Sequence, residues 1–152
     1  MEEQLIYQYL NDDELLRISN KIKLWEKLTA GEICVSIKER KPFLQKKKLI
    51  RQLAEEEFYR LGIDKTRDAT GILIFLLLEK KQFYILADKG INEKVSANTW
   101  DKIKDQMQTF FVKGEFSKGI IHGVEEVGKI LSNHFPIKPD DTNELSNRVT
   151  IT

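Results

Sequence analysis

Apolar positions along the chain follow two periods. Leu15, Ile18, Ile22, Trp25 and Leu28 recur at spacings of three and four, which predicts one buried stripe on a helix. Asn11-Asp12-Asp13-Glu14 opens that helix with a capping-box pattern, and Gly31 is its expected end. Ile33, Val35 and Ile37 then alternate with Cys34 and Ser36, the period of a strand. Beyond Pro42, the stripe Ile50, Leu53, Ala54, Phe58 and Leu61 predicts a second helix, stopped by Gly62. Residues 71–78 are apolar without alternation, as in a strand covered on both faces. A polar tip at 79–82 turns the chain into a second strand over 83–87. Two more amphipathic helices follow. One runs from the cap-forming residues 96–99 through Trp100, Ile103, Met107 and Phe110 or Phe111 to Gly114. The other runs from Phe116 through Ile120, Ile121, Val124, Val127 and Leu131, ending before Pro136.

The resulting order, α-β-α-β-β-α-α, predicts an α/β fold: a three-layer α/β/α sandwich around a central mixed sheet. The first two strands, joined by a helical crossover, should be parallel, and the hairpin should add an antiparallel neighbour. Pairing about Lys80 and Lys81 puts Leu73 opposite Asp88 and Gly71 opposite Gly90. Glu32, Thr70 and Asp88 then lie toward the same end of the sheet, with Asp68 just beyond the last pair. Any chemistry is expected there.

Length and composition narrow the class. The 152 residues suit a single domain, with a core over about 12–136 and a polar tail over 137–152 in which Val149 and Ile151 have no assigned place. With 41% apolar and 32% charged residues the chain reads as globular. Its 25 basic and 24 acidic residues leave a net charge of +1, so no global field steers it to nucleic acid or an anionic surface. Lys38, Arg40, Lys41, Lys46, Lys47, Lys48 and Arg51 do cluster against Glu39, a run read as a solvated loop and first helical turn. Cys34 has no partner for a disulfide and sits among strand residues, as a small buried hydrophobe. No signal peptide and no run near the roughly 18–20 apolar residues of a membrane span is present, so a soluble, cytoplasmic protein is expected.

Several short motifs resemble those of the TPM-domain family. Thr29-Ala30-Gly31-Glu32-Ile33 is similar to the family's "TGEI" entry into its first strand. Thr70-Gly71-Ile72-Leu73-Ile74 is similar to its "NGVLI" second strand, and Ala87-Asp88-Lys89-Gly90-Ile91 to the "GDxGI" close of its third. Trp100, Phe110-Phe111, Phe116 and Gly119 sit where short bacterial members carry W, F, F and G. His134-Phe135-Pro136 with Asn143-Glu144-Leu145 resembles their "FP…NELP" tail. The resemblance spans nearly the whole chain and implies an α/β/α sandwich that binds a divalent cation, often calcium, near the acidic end of the sheet. It also implies either an accessory role beside a protein partner or an acid phosphatase activity. Thr70 and Ala87 depart from the family's Asn and Gly, in loops where an unusual backbone angle or an amide ligand could be required.

Calcium is held by several oxygen ligands, and Glu32, Asp68 and Asp88, with Asp64 and Asp101 as further candidates, supply them at one end of the sheet. Each also has a structural explanation: Asp68 as a loop cap, Asp88 as a turn residue, Asp101 in the first turn of a helix. A metal-dependent phosphatase of low efficiency is the alternative to a binding module, but no P-loop or evident nucleophile accompanies the acids. Arg67 reads as a solvated loop residue, and His122 and His134 as packing or surface residues.

Overall fold

The computed structural model describes residues 4–138 and 149–152. Its elements are α1 (Asp12–Glu26), β1 (Glu32–Lys38), α2 (Ile50–Arg60), β2 (Gly71–Leu77), β3 (Gln82–Ala87), α3 (Lys89–Asn92), α4 (Asn98–Val112), α5 (Phe116–His134) and β4 (Val149–Ile151). Three short 3₁₀ turns, Leu5–Gln8, Phe43–Gln45 and Ile63–Lys65, punctuate the loops. The sheet order is β3-β2-β1-β4, with β1 parallel to β2 and β4 and β3 antiparallel to β2.

Alternation along the central strands sends side chains to two cores. Ile33, Val35 and Ile37 with Ile72, Ile74 and Leu76 meet apolar residues of α1, α4 and α5. Cys34, Leu73, Phe75 and Leu77 meet Leu53, Ala54 and Phe58 of α2 and Ile63 beyond it. Helices therefore cover both faces of a mixed sheet, as the pattern of residues 71–78 predicts, because an unalternated apolar strand needs partners on both sides.

The predicted capping box forms: the Asn11 side chain accepts the Glu14 N–H at 2.8 Å, and the Glu14 carboxylate accepts the Asn11 N–H at 3.0 Å. α1 nevertheless ends at Glu26, short of Gly31. The chain leaves the helix to pair with the end of α5, where the Ala30 N–H (2.8 Å) and the Thr29 hydroxyl (2.6 Å) both donate to the Phe135 carbonyl. Leu28, expected on the buried stripe, is consequently 55% exposed. Gly62 and Gly114 end α2 and α4 in left-handed conformations, at φ 73° and 78°.

Three further expectations change. The core reaches beyond residue 12, since Ile6 and Leu10 of the N-terminal segment are buried in it. Val149 and Ile151 find a place in β4, with Val149 opposite Val35 and Ile151 opposite Ile37. The hairpin register shifts by two residues: Leu73 faces Leu86, not Asp88, and Gly71 bonds Asp88 rather than facing Gly90. The turn is centred one residue earlier than expected. Leu77 pairs with Gln82, Lys81 adopts a left-handed φ of 52°, and its N–H closes the loop on the Leu78 carbonyl at 3.0 Å. Asn143, Glu144 and Leu145 lie outside the described residues.

Candidate functional site

The corrected register aligns the acidic end of the sheet. Glu32 at the start of β1 is level with Gly71 at the start of β2, and the Gly71 carbonyl accepts the Asp88 N–H at 2.9 Å. Glu32, Gly71 and Asp88 therefore occupy one row across three strands. Glu32 is buried at 3% exposure, whereas Asp88 is half-exposed at the mouth of the row. The Asp88 side chain accepts the Lys89 N–H at 2.8 Å and caps α3.

A loop folds against this row. Thr66 and Thr70 are buried, and the Thr66 hydroxyl accepts the Thr70 N–H at 3.0 Å. Between them Ala69 takes a left-handed φ of 54°, a conformation costly for a residue with a Cβ. Ala69 joins the two peptide planes whose carbonyl oxygens, those of Asp68 and Ala69, both press on Gly90. A side chain at Gly90 would overlap both oxygens, so only glycine admits this approach. Neither Thr70 nor Ala87 has a positive φ. The unusual backbone angle thus falls on Ala69, one residue before the departure seen in the sequence.

The remaining candidates stand around this centre. Asp68 is exposed and lies 3.6 Å from Arg67 in a surface ion pair. Asp64 is exposed on the turn Ile63–Lys65, whose Ile63 packs against Gly71. Asp101 is exposed in the first turn of α4, where a negative charge complements the helix dipole. Asn92, which the sequence gives no reason to single out, links the segments: its side-chain N–H donates to the Ala87 carbonyl at 2.9 Å, and its oxygen accepts the Trp100 indole N–H at 2.8 Å. Only tertiary contact reveals that role, as it does that of Gly90.

Carboxylates, backbone carbonyls and an amide match a hard cation in kind. Among the described residues, however, no three His, Cys, Asp or Glu side chains converge as metal ligands. The fit is thus one of donor chemistry, with main-chain oxygens at Asp68 and Ala69 beside few carboxylates. His122 is occupied elsewhere: its ring bonds the Gln106 side chain at 2.8 Å and lies 5.5 Å from the Phe110 ring. A cleft of about 490 Å³ opens at the other end of the sheet, lined by Tyr9, Phe83, Phe111 and Phe116 with Lys81 among its polar residues, and it contains no acid. No described helix is long and apolar enough to cross a membrane.

A mixed sheet sandwiched by helices, with an acidic row where two parallel strands begin and an antiparallel one ends, defines a small α/β/α class. Within it, the chain belongs to the TPM-domain family, whose profile matches residues 7–130. The BA42 protein of Bizionia argentinensis, a psychrophilic bacterium, is 34% identical over 95% of this chain and 96% of its own, with a TM-score of 0.84. Two more distant structures share the fold. The N-terminal domain of a P. gingivalis protein is 16% identical over 84% of this chain and 79% of its own, with a TM-score of 0.67. The N-terminal domain of the cg2496 protein of Corynebacterium glutamicum is 13% identical over 80% of this chain and 74% of its own, with a TM-score of 0.57. No curated protein matches the sequence.

Proposed function

We propose that this chain is a binding module that takes a divalent cation, calcium, at the row Glu32–Gly71–Asp88 and serves as an accessory to a protein partner. The observation that carries the reading is the approach of the Asp68 and Ala69 carbonyls to Gly90 beside Asp88. It brings two main-chain oxygens against Gly90, two residues from the half-exposed Asp88, at a position where the backbone is held in a costly conformation. Asp88 and Asp68 are the side chains that would hold the ion, with Glu32, Asp64 and Asp101 as the remaining candidates. Bound calcium would neutralise these carboxylates and cross-link the loop before β2 to the segment after β3. With so few carboxylates the affinity belongs in the weak class, on the order of 10⁻⁴–10⁻³ M.

Calcium titration followed by NMR tests this. Saturable shifts centred on residues 64–71 and 86–92, and extending to Glu32 and Asp101 where they ligate, are expected. Asp88→Asn, which keeps a side-chain oxygen for the cap but removes the charge, should weaken binding about tenfold. No binding at millimolar calcium would sink the proposal.

The second reading, a metal-dependent phosphatase of low efficiency, draws support from the family's designation as TPM phosphatase. The hydroxyls nearest the row offer it little, since Thr66 and Thr70 are buried and the Thr66 oxygen is already bonded. A phosphate-ester assay with and without metal addresses this reading. Activity surviving Asp68→Ala combined with Asp88→Ala would place the chemistry elsewhere.

A further inference from the structure

The opposite end of the sheet has the reverse character. The C-terminal ends of β1 and β2 point away from Glu32, and the hairpin tip lies with them. The loop after β1 is tied to that tip. The Lys38 and Glu39 carbonyls accept the Leu78 and Glu79 N–H groups, each at 3.0 Å, and the Glu79 carboxylate accepts the Lys41 N–H at 2.6 Å. Arg40, Lys41, Lys46, Lys47, Lys48, Lys80 and Lys81 are thereby collected on one end.

The acids among them are already committed. Glu39 accepts the Ile6 backbone N–H at 2.7 Å, Glu79 accepts the Lys41 backbone N–H, and Glu56 forms an ion pair with Lys48, so these three carboxylates face seven cations. Among the described residues, no carboxylate pairs with Arg40, Lys46, Lys47, Lys80 or Lys81. The local field of this end is positive although the whole chain is nearly neutral.

At its centre Pro42 leads into the 3₁₀ turn Phe43–Gln45, and that turn carries two apolar side chains outward. Phe43 is 79% exposed and Leu44 91%, the highest values for large apolar residues in the described chain. The Lys46 ammonium lies 5.0 Å from the centre of the Phe43 ring, and Leu49 is exposed a few residues on. Scattered exposed apolar residues are ordinary, but two adjacent ones on a turn at the cation-rich end of the sheet, with Lys46 over one of them, are not.

Cations alone would suit a nucleic acid as well as a lipid headgroup. Leu44 decides between them, because it offers no face for a base to stack on, and one side of Phe43 is taken by Lys46. An anionic bilayer supplies both missing partners at once: phosphates for the cations and an apolar boundary for Phe43 and Leu44.

We propose that this end of the molecule docks peripherally on an anionic lipid surface, with Phe43 and Leu44 entering the headgroup boundary and Arg40, Lys41, Lys46, Lys47, Lys80 and Lys81 holding lipid phosphates. The residues involved are separate from those of the cation site, so each proposal stands or falls alone. The docked orientation turns Asp88 away from the bilayer.

Co-sedimentation of the full chain with vesicles tests the docking. Binding is expected to vesicles of equimolar phosphatidylglycerol and phosphatidylcholine, to be absent with phosphatidylcholine alone, and to fall as salt is raised. Phe43→Ser combined with Leu44→Ser should weaken binding by about tenfold or more, with the thermal unfolding midpoint unchanged because neither side chain is in the core. In a Phe43→Trp variant, the added indole emission should move to shorter wavelength on the anionic vesicles. Equal binding to both vesicle types, undiminished binding by the double serine variant, or tighter binding to a single-stranded oligonucleotide than to the vesicles would each overturn the proposal.

Discussion

Glu57 is a carboxylate held beneath α2 at 4% exposure, and its surroundings explain why it stays charged. The Ser36 hydroxyl donates to one oxygen from the middle of β1, and the Arg60 guanidinium donates to the other at 2.6 Å. Burial pushes the Glu57 pKa up, but the Arg60 and Ser36 hydrogen bonds together outweigh it and hold the pKa below the ordinary value near 4.5. A depressed carboxylate contributes stability that is fully present above the unfolded value and is lost as pH falls through the folded one. The advantage of wild type over Glu57→Gln in urea unfolding should therefore be constant near neutrality and shrink on acidification below about pH 4.5. Ser36→Ala removes a donor that nothing replaces beneath the helix, and should cost about 1–3 kcal/mol in the same measurement.

At the scale of elements, α5 is shaped by what it lacks. Gly128 faces the Trp25 indole of α1 so closely that a methyl group there would overlap the ring, and Gly123 meets the Met107 sulfur of α4 in the same way. Gly128→Ala should force the indole aside, at a cost of roughly 1–3 kcal/mol by thermal unfolding, with a shift in tryptophan emission. The existence and faces of α1, α2, α4, α5 and the three longer strands were legible in the sequence, because burial imposes the periods of 3.6 and 2 directly on residue choice. The hairpin register was not, since it turned on Lys81 adopting a left-handed φ that its residue type does not announce. Nor was β4, three residues whose partner strand lies more than a hundred positions earlier. That Glu32 and Asp88 lie toward the same end of the sheet followed from strand order, but their shared row came only with the corrected register. The contact of Asp68 and Ala69 with Gly90 depends on two loops meeting through backbone atoms, which carry no sequence signal.

At the scale of the molecule, the sheet separates two chemistries by the length of its strands. Acids and main-chain oxygens gather where β1 and β2 begin, and cations with exposed apolar groups gather where they end. Calcium and lipid binding should accordingly be additive: calcium should change vesicle affinity less than twofold in the co-sedimentation assay once lipid–calcium contacts are subtracted. β4 bears on this architecture in another way. It is held to β1 by three residue pairs, and the Thr152 N–H adds a bond to the Ile37 carbonyl at 2.9 Å. Removing the chain from Val149 onward would leave β1 with an open row of amides and carbonyls beside Val35 and Ile37. Such a border is a template for another strand. A truncated protein should therefore associate more strongly with rising concentration than the intact chain, as seen by light scattering. Residues 149–152 thus close the border of β1, and a fusion placed after them would have to leave that pairing undisturbed.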